Sequence, residues 1–571
     1  MIQYHLSSEN PLTGFLQVRT TITNLNTPVT YLQLPAWRPG RYELQNFAQK
    51  LQAFRITSAT GEPLAFHKVT KDRWQVDTQG HTAIEVHYNF HARQMDAGGS
   101  WVADDLLYVN PVNCLLTAEG QENLPCALTL AIPEEWEIAC GLSGPLPRTL
   151  QARDFDQLVD APFMAGPGLQ HRTYEEQGIL FHVWFYGDCQ PDWERIIPDF
   201  RAFTQEQLAL FGTFPVQDYH FLNLILPYPH YHGVEHMNST VITLGPSEQL
   251  MMPNLYKELL GVSCHELFHT WNIKQIRPVE MQPYDFTREN YFRTGYVAEG
   301  VTTYYGDYLL ARSGVFTTGQ YFNELNTVLK RHATDQGEQN LSVADSSFDT
   351  WLDGYKAGVP DRKVSIYHKG CIAALVLDLE IRKATQNQKS LDDVMRRLWQ
   401  EFGQTGTGYR EADYQRLAEE EAGTSLETYF REMIFGTVSF EKWLTPALEY
   451  VGCTLEKLPT ANLQESTFGF RLANGGLTVA YIAPGSPAAK ALSVDDELIA
   501  LNGRKLEATN LQHLLKDQET VELTLFRQKR LRTVTLTSTG ALHLPQYRIS
   551  QNPAATEAQQ QNFRGWLNQA F

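Results

Sequence analysis

The chain of 571 residues is 43% hydrophobic and 12% aromatic, a composition typical of a folded protein with several domains. Its formal net charge of −18 at pH 7 argues against a nucleic-acid partner, because phosphate binding needs a basic surface. The sequence contains no run of about 18 apolar residues, and its first residues lack the basic and apolar parts of a signal peptide. We therefore expect no membrane insertion.

The seven cysteines are scattered along the chain and show no paired spacing. An odd number of such cysteines indicates free thiols rather than a disulfide framework. Free thiols are typical of a reducing compartment, so we expect a cytoplasmic protein.

Residues 1–168 have the alternation of half-buried β-strands. Two runs show it best: Leu16, Val18, Thr20 and Ile22, and then Ile84, Val86, Tyr88 and Phe90. Turn residues separate such runs, which predicts a β-sandwich-like N-terminal domain. Within it, residues 34–42 are aromatic and cationic, and they form either a packed turn or a segment that reaches a neighbouring site.

The pattern changes after residue 168. It predicts a helix over residues 191–211, a buried strand over residues 221–226 and mainly helical structure from residue 254 to about residue 436. Residues 169–454 are therefore predicted to form a second, mainly helical domain.

A stretch of this domain, residues 254–271, has apolar residues at helical spacing and contains His265, Glu266 and His269. Residues four apart lie on one face of a helix, so the two imidazoles can bind one ion. Glu266 lies beside them, where a carboxylate can take a proton from metal-bound water. The alternative is a chance match on an ordinary core helix.

A catalytic zinc ion usually has three protein ligands and an open position for water. Glu299 is the best candidate for the third ligand, because it follows His269 at a distance that allows a turn, a loop and a returning helix. Its immediate neighbours are apolar, which indicates a buried carboxylate that needs a partner. Asp285 and Glu289 are nearer in sequence, but they lie in a loop rich in proline and aromatic residues, a poorer place for ligation.

Three segments together resemble the glycyl aminopeptidase family of zinc metallopeptidases: residues 265–272 (HELFHTWN), 276–278 (IRP) and 299–305 (EGVTTYY). The resemblance covers most of the chain and implies a thermolysin-like catalytic domain. It implies that His265, His269 and Glu299 bind one zinc ion per chain. Glu266 would be the general base that activates zinc-bound water and passes the proton to the leaving amine.

Residues 233–238 (GVEHMN) resemble the Gly-x-Glu-His signature of the family. The resemblance implies that Glu235 holds the free α-amino group of the substrate through a charge-assisted hydrogen bond. Gly233 would permit close approach of the substrate backbone, and His236 is expected to contact the substrate. A purely structural strand with a turn glycine is the alternative.

Residues 367–370 (YHKG) are similar to the Tyr-x-Lys-Gly element of related enzymes. This similarity implies that the Tyr367 hydroxyl donates to the oxyanion of the tetrahedral intermediate. Alternatively, Tyr367 is a core residue. Lys369 is expected to be structural.

Residues 467–470 (TFGF), 483–489 (APGSPAA) and 495–503 (DDELIALNG) resemble a PDZ domain in order and spacing. We predict this domain over residues 455–545, with Phe468, Gly469 and Phe470 at a groove that binds an extended peptide. The domain would either steer such peptides or brace the catalytic unit. Residues 546–571 are predicted to be a tail with a short docking helix.

The expected fold class is multidomain α+β, with a β-sandwich-like N-terminal domain, a thermolysin-like catalytic domain and a C-terminal PDZ domain. The predicted function is a zinc aminopeptidase that acts on peptides with a free N-terminus, and the resemblance implies a preference for glycine and alanine. Two alternatives remain. One is an endopeptidase in which Glu235 contacts the substrate backbone, and the other is a PDZ-bearing peptide-binding protein with an inactive zinc site.

Overall fold

The computed structural model describes residues 1–334, 336–356 and 358–571. Its first 166 residues consist mainly of strands, with one short α-helix before the last strand. In chain order they are β1 (Ile2–Ser7), β2 (Phe15–Thr23), β3 (Val29–Gln33), β4 (Leu51–Ser58), β5 (Phe66–Thr70), β6 (Arg73–Asp77), β7 (Ala83–His91), β8 (Arg93–Gln94), β9 (Ser100–Val102), β10 (Leu107–Val109), β11 (Thr117–Ala118), β12 (Cys126–Ala131), β13 (Glu137–Cys140), β14 (Thr149–Ala152), α1 (Phe155–Val159) and β15 (Phe163–Gly166).

Three sheets build this N-terminal domain, with the strand orders β14-β12-β1-β2-β7-β4, β13-β15-β10-β9-β8 and β11-β3-β6-β5. β2 and β7 pair antiparallel, with Leu16 opposite Phe90 and Val18 opposite Tyr88. The alternation of the two sequences thus puts their apolar side chains on one face, which is buried in the core of the domain. The prediction of an N-terminal β domain is confirmed.

The middle domain begins with a five-stranded sheet of the order β16-β17-β18-β20-β19. Its strands and the helix between the second and third are β16 (Gln170–Glu176), β17 (Ile179–Tyr186), α2 (Trp193–Phe211), β18 (Asp218–Ile225), β19 (His230–Glu235) and β20 (Ser239–Gly245). β19 lies at the edge of this sheet, antiparallel to β20.

The rest of the middle domain is helical, as predicted. Its α-helices are α3 (Pro253–Phe268), α4 (Thr302–Arg312), α5 (Thr318–His332), α6 (Val343–Phe348), α7 (Thr350–Asp353), α8 (His368–Ala384), α9 (Leu391–Leu398), α10 (Glu411–Ala422), α11 (Glu427–Tyr429) and α12 (Glu441–Tyr450). A π-helical turn, Tyr296–Val301, runs directly into α4.

α3 is the central helix of the middle domain. It begins with Pro253, where a missing backbone N–H breaks no helical hydrogen bond. The helix contacts β19 and β20 as well as α2 and α4. Gly306 permits the contact with α4, because a Cβ at that position would lie 3.1 Å from the Cβ of His265. α3 is therefore held between the sheet and the other helices.

The C-terminal part of the chain contains a small module with its own apolar core. The elements from here to the C-terminus are β21 (Cys453–Leu458), α13 (Leu463–Ser466), β22 (Phe470–Leu472), β23 (Val479–Ile482), β24 (Glu497–Leu501), β25 (Arg504–Lys505), α14 (Leu511–Leu515), β26 (Thr520–Arg527), β27 (Arg530–Thr537), β28 (Gln546–Gln551) and α15 (Glu557–Leu567). β21 pairs antiparallel with β28, so the module is inserted between two paired strands, which we call the stem. The predicted module boundary at residue 455 lies inside β21.

After the stem the chain returns to the middle domain. α15 begins with a capping box and buries Phe563, Trp566 and Leu567 in the core of that domain. Trp566 Nε1 donates to the Tyr304 hydroxyl at 3.1 Å, and the Tyr308 hydroxyl donates to the carbonyl oxygen of Trp566 at 2.7 Å. The segment predicted to be a tail is thus part of the middle domain.

Two further observations concern the whole chain. All seven cysteines are buried free thiols. Among residues 1–334, 336–356 and 358–571, no helix has both the length and the apolar character needed to cross a membrane.

Candidate metal site and substrate cleft

The side chains of His265, His269 and Glu299 meet at the C-terminal end of α3. His265 Nε2 is 3.0 Å from His269 Nε2, which is 3.4 Å from Glu299 Oε2. One ligand atom from each residue lies within 4.8 Å of the other two. His265 belongs to α3 and His269 follows its last residue, so the spacing of four puts both rings on one face.

The backbone fixes the orientation of both imidazole rings. His269 Nδ1 donates to the carbonyl oxygen of Asn272 at 2.8 Å. In the neutral ring, Nε2 then carries a lone pair that faces the cluster. His265 likewise hydrogen-bonds to the backbone of Thr302. Imidazoles that bind a metal are usually oriented in this way.

Three carboxylates, those of Glu235, Glu266 and Glu299, are buried beside the imidazoles (4%, 5% and 2% exposed). Glu235 Oε1 and Glu266 Oε2 have no hydrogen-bonding partner among the described residues. Burial raises the pKa of Glu266 well above its usual value. Burial alone would lower the pKa of His269, but Glu299 and Glu235 raise it to about 10. A divalent cation would replace that proton and compensate the buried charge, so this set of donors fits zinc.

Glu299 lies in the π-helical turn Tyr296–Val301 and not in the regular helix that the sequence predicts. Asn272 Nδ2 donates to the carbonyl oxygen of Val297 at 2.9 Å and to Thr302 Oγ1 at 3.0 Å. These bonds tie the turn to the segment that follows α3. π-Helical turns are frequent at functional sites, and no sequence pattern indicates this one.

Two glycines allow the π-helical turn to pack against the start of α8. A Cβ on Gly300 would lie 2.4 Å from the Cα of Gly370, so a side chain at this position would force the two segments apart. The contact also brings Tyr367, which precedes α8, towards Glu299. This close contact explains why glycine follows Glu299 and Lys369 in the sequence, at positions 300 and 370.

A side chain of the N-terminal domain completes the cluster. The Tyr42 hydroxyl donates to Glu299 Oε1 at 2.8 Å, and both side chains are buried. Residues 34–42 are therefore both a packed turn and a segment that reaches the site, since Trp37 is buried and its Nε1 donates to the carbonyl oxygen of Asp285 at 2.7 Å. Sequence reasoning missed Tyr42, because no local pattern indicates a contact across 257 positions.

Gly233 provides space for the carboxylate of Glu266. A Cβ on Gly233 would lie 2.2 Å from Glu266 Oε1 and 2.6 Å from Val262 Cγ2. The sequence predicts a role for Gly233 in the approach of the substrate. In the structure, the glycine also allows α3 to approach β19 closely enough for Glu266 to lie beside the strand.

Glu235 lies at the end of β19, and one oxygen of its carboxylate is within 4.8 Å of ligand atoms of Glu266 and His269. The N-terminal domain covers its other side. Gly40 has a φ of 77°, which favours glycine, and a Cβ there would lie 2.5 Å from Glu235 Oε2. The N-terminal domain thus forms a wall at this end of the cleft.

His236 is held by a buried charged network. Its Nδ1 donates to Asp160 Oδ1 at 3.2 Å, and Lys274 Nζ donates to the same oxygen at 2.7 Å. Asp160 Oδ2 accepts the backbone N–H of Met237 at 2.8 Å. Burial would raise the pKa of Asp160, but Lys274 and His236 hold it well below its usual value. Sequence reasoning missed Asp160 and Lys274, whose partners are distant in sequence.

Tyr367 lines the same cavity as His265 and Glu266, with a volume of about 660 Å³. Its hydroxyl is 3.4 Å from that of Tyr355. Burial, together with Glu299 and Tyr355, raises the pKa of Tyr367 well above its usual value. The hydroxyl therefore stays protonated and can donate a hydrogen bond.

Lys369, two residues further on, forms a buried ion pair with Glu338. The pair lies away from the lining of the cavity. A structural role for Lys369 agrees with this position.

A second group with ligand-type side chains, His182, Asp218 and His220, lies on strands β17 and β18. The rings of His182 and His220 stack with centroids 4.2 Å apart. Trp184 Nε1 donates to His220 Nδ1 at 3.2 Å, so the neutral ring carries its proton on Nε2 and offers no lone pair there. This group is a stacked aromatic ladder and not a metal site.

The predicted groove residues of the C-terminal module lie in its interior. Phe468 and Phe470 are 0% and 1% exposed, and the Gly469 N–H donates to the carbonyl oxygen of Glu465 at 3.1 Å. α13 lies against α14 through the Leu463 N–H, which donates to Gln512 Oε1 at 2.8 Å. A role of residues 468–470 in binding a peptide stays a prediction.

Comparisons with known proteins agree with the multidomain fold. Residues 3–167 match the Peptidase M61 N-terminal domain, residues 258–373 the M61 glycyl aminopeptidase and residues 458–525 the PDZ domain. The crystal structure of an aminopeptidase N family protein from Idiomarina loihiensis is similar over 99% of this chain and 100% of that chain, with a TM-score of 0.89 and 27% identity. The crystal structure of an M1 zinc metallopeptidase from Deinococcus radiodurans aligns with 77% of this chain and 94% of its own, with a TM-score of 0.48 and 14% identity. No curated protein matches the sequence.

The matched domains and the similar fold define the class of the protein, a zinc metallo-aminopeptidase. Segments of the chain are similar to the N-terminal domain and the glycyl aminopeptidase domain of the M61 peptidases and to a PDZ domain. The resemblance found in the sequence and the multidomain α+β fold are both confirmed.

Proposed function

We propose that this enzyme removes the N-terminal residue from peptides with a free amino group, with one zinc ion per chain held by His265, His269 and Glu299. One observation carries the proposal, the buried carboxylate of Glu235 at the walled end of the cleft. A substrate ammonium would pair with it. An acylated amino group would leave the carboxylate unpaired and meet the N-terminal domain, which disfavours such substrates.

The chain's own residues supply the remaining steps of hydrolysis. Zinc would contribute a Lewis acid that lowers the pKa of bound water to about 7. Glu266 takes the proton of the attacking water and passes it to the leaving amine. Tyr367 donates to the oxyanion that develops on the scissile carbonyl. Because Glu235 fixes the amino group, the first peptide bond and not a later one lies beside Glu266.

We further propose that the first residue of the substrate is small, glycine or alanine. The name of the matched domain, glycyl aminopeptidase, supports this preference, as does the approach of Gly40 to Glu235. An extended peptide at the PDZ domain is a second proposed ligand. The seven free thiols support a cytoplasmic location.

The deciding experiment compares the peptide Ala-Ala-Phe with its N-acetylated form. We expect hydrolysis of the free peptide alone, and a loss of about 10- to 100-fold in kcat/KM for that peptide in Glu235→Gln, since a charge-assisted hydrogen bond is lost. Glu248→Gln is the matched control, because it removes one exposed carboxylate outside the cleft. Equal cleavage of both peptides by the wild-type enzyme would identify an endopeptidase instead.

Glu266→Gln tests the chemistry independently of substrate binding. This variant should keep its zinc, because Glu266 is not one of the proposed ligands, and it should lose hydrolysis of every peptide. Metal content is measured by atomic emission on the same preparation. Hydrolysis at the wild-type rate would contradict the role of Glu266.

A further inference from the structure

The cavity that contains the candidate site continues well beyond it. One end is lined by Gly233, His265, Glu266 and Tyr367. The other end lies between α3, α4 and α5 and is lined by Lys257, Glu258, Asp307, Glu324 and Arg331. The proposed chemistry uses none of these charged residues. We call this second region the charged end of the cavity.

The position of Glu235 fixes which part of a substrate enters the charged end. With its amino group at Glu235, a peptide runs along the outer edge of β19 from Glu235 towards Tyr231, antiparallel to the strand. An edge strand offers free backbone groups for such pairing. Tyr231 lines the cavity together with the residues of the charged end. In this orientation the residue after the scissile bond would face α3, α4 and α5.

Asp307 lies next to the catalytic centre within the charged end. Gly261, one turn of α3 before His265, faces it, and a Cβ on Gly261 would lie 3.5 Å from Asp307 Oδ1. The preceding residue, Gly306, packs against His265 itself. Asp307 is thus placed about one helical turn from the proposed zinc ligand.

The carboxylate of Asp307 has no ion pair or hydrogen bond with any residue in the described part of the chain. Burial and Glu324 raise its pKa to about 7, although Lys257 and Arg331 act in the opposite direction. Lys257 is already paired with Glu324, at 2.5 Å. Arg331 is exposed. Asp307 is half-buried, and a cation inside the cavity would pair with a carboxylate for which the described residues provide no partner.

A second carboxylate adds to the negative charge of this region. Glu258 lies on the face of α3 that also carries Val262 and Glu266, because the three are spaced four residues apart. Glu258 is exposed at the rim of the cavity, and its partial desolvation raises the pKa of its carboxyl group. The charged end thus has three carboxylates, of Glu258, Asp307 and Glu324, for two cationic side chains.

We propose that the charged end of the cavity is a subsite for a basic side chain, lysine or arginine, at the second position of the peptide, and that Asp307 is its specificity-determining residue. This inference rests on the proposed function, because the amino group at Glu235 sets the direction of the substrate. A basic side chain forms a charge-assisted hydrogen bond with Asp307, whereas a neutral chain of equal length leaves the carboxylate unpaired. We expect kcat/KM to be about tenfold higher for the peptide with the basic side chain than for the peptide with the neutral one.

The test uses the zinc-loaded full-length enzyme and the peptides Ala-Lys-Ala-amide, Ala-norleucine-Ala-amide and Ala-Glu-Ala-amide. Norleucine has nearly the shape of lysine without its charge, so the lysine-to-norleucine ratio of kcat/KM isolates the charge. We expect a ratio of about ten in the wild-type enzyme and a ratio near one in Asp307→Asn. Glu248→Gln, which removes an exposed carboxylate outside the cavity, should keep the wild-type ratio.

Binding gives a second measurement that needs no turnover. Calorimetry with zinc-loaded Glu266→Gln compares the affinities of the lysine and norleucine peptides, and the same comparison is made in Glu266→Gln/Asp307→Asn. The expected preference for lysine should again depend on Asp307. Equal cleavage of free and acetylated peptides would contradict the proposed function. The ratio of the affinities for the lysine and norleucine peptides would still show, separately, whether the subsite exists.

Three results would overturn the subsite. The first is a wild-type ratio of two or less in both measurements. The second is a ratio that persists in Asp307→Asn. The third is a preference for glutamate over norleucine, which would mean that Arg331 and not Asp307 governs the region.

Discussion

Tyr42 supports the candidate site from a separate domain through a single hydrogen bond. Its hydroxyl holds Glu299 Oε1 at 2.8 Å, which leaves Oε2, 3.4 Å from His269 Nε2, to face the cluster. Residues that orient a ligand in this way contribute strongly to metal affinity. The N-terminal domain therefore contributes to the chemistry of the middle domain as well as covering it.

The variant Tyr42→Phe should weaken zinc binding about tenfold, because Glu299 loses the bond that orients it. Competition with a fluorescent chelator measures the dissociation constant of zinc without any assay of activity. Tyr4→Phe is the matched control, since the Tyr4 hydroxyl is also buried in the N-terminal domain but donates to the carbonyl oxygen of Leu116. Wild-type zinc affinity in Tyr42→Phe would contradict this role.

Local patterns predicted the residues whose arrangement is itself local. His265 and His269 are four apart in a helical sequence, and the structure brings their Nε2 atoms to 3.0 Å. Tyr42 and Asp160 could not be found in this way, because their partners are supplied by packing between domains. A single tyrosine or aspartate in a strand-rich region looks the same whether or not it reaches a distant site.

At the scale of elements, the junction of α1 with the segment after β19 depends on Asp160. This carboxylate is the residue after α1, and it binds Lys274, His236 and the Met237 backbone. The side chain of Lys274 is only 1% exposed. Loss of the negative charge would leave a buried cation without compensation, a change that usually costs about 3–5 kcal/mol.

Asp160→Asn should therefore lower the thermal midpoint of the first unfolding transition at pH 7. The double variant Asp160→Asn/Lys274→Met should recover part of the loss, because it removes the unpaired cation as well. An unchanged midpoint in the single variant would show that the network contributes little.

The pH dependence of this effect has a definite sign. Since the pKa of Asp160 is held below its usual value, its contribution to stability is present above the pKa of the unfolded chain, about 3.9, and is lost as the pH falls below that value. The difference between wild type and Asp160→Asn in zinc-free protein should accordingly stay constant from pH 7 to about pH 5 and shrink as the pH falls below about 4.

The element that sequence reasoning described least well is the one that carries Glu299. Apolar neighbours correctly indicated burial, and the segment does lead into a helix. The π-helical turn Tyr296–Val301, however, depends on Asn272 and on the contact between Gly300 and Gly370. Such a turn is determined by tertiary packing and leaves no periodic signal.

On the scale of the whole molecule, the PDZ module is an insertion in the catalytic unit. Both of its ends belong to the stem, in which Leu458 is opposite Gln546. It touches the middle domain through polar contacts such as the Tyr481 hydroxyl, which donates to Asp361 at 2.7 Å. By contrast, α15 beyond the stem is buried in the core of the middle domain.

Replacement of residues 460–545 by a short glycine-serine linker should therefore leave the zinc content and the hydrolysis of tripeptides close to those of the full chain. The stem can close as a hairpin because its strands are already paired at this point. Loss of zinc from this variant would mean that the module braces the catalytic unit.

A chain that stops after residue 545 is the informative comparison for this experiment. It lacks β28 and α15, so Trp566 no longer fills the core beside Tyr304 and Tyr308. A cavity of that size is severely destabilising, and we expect little soluble protein.

The hydrogen bond of Tyr42 and the burial of Trp566 also bear on synthesis at the ribosome. The N-terminal domain emerges first, but its tyrosine finds no acceptor until Glu299 has been translated. The helix that carries Tyr304 and Tyr308 then lacks its last neighbour until residue 566 has left the exit tunnel. All three proposed zinc ligands are thus synthesised well before the core around α4 is complete.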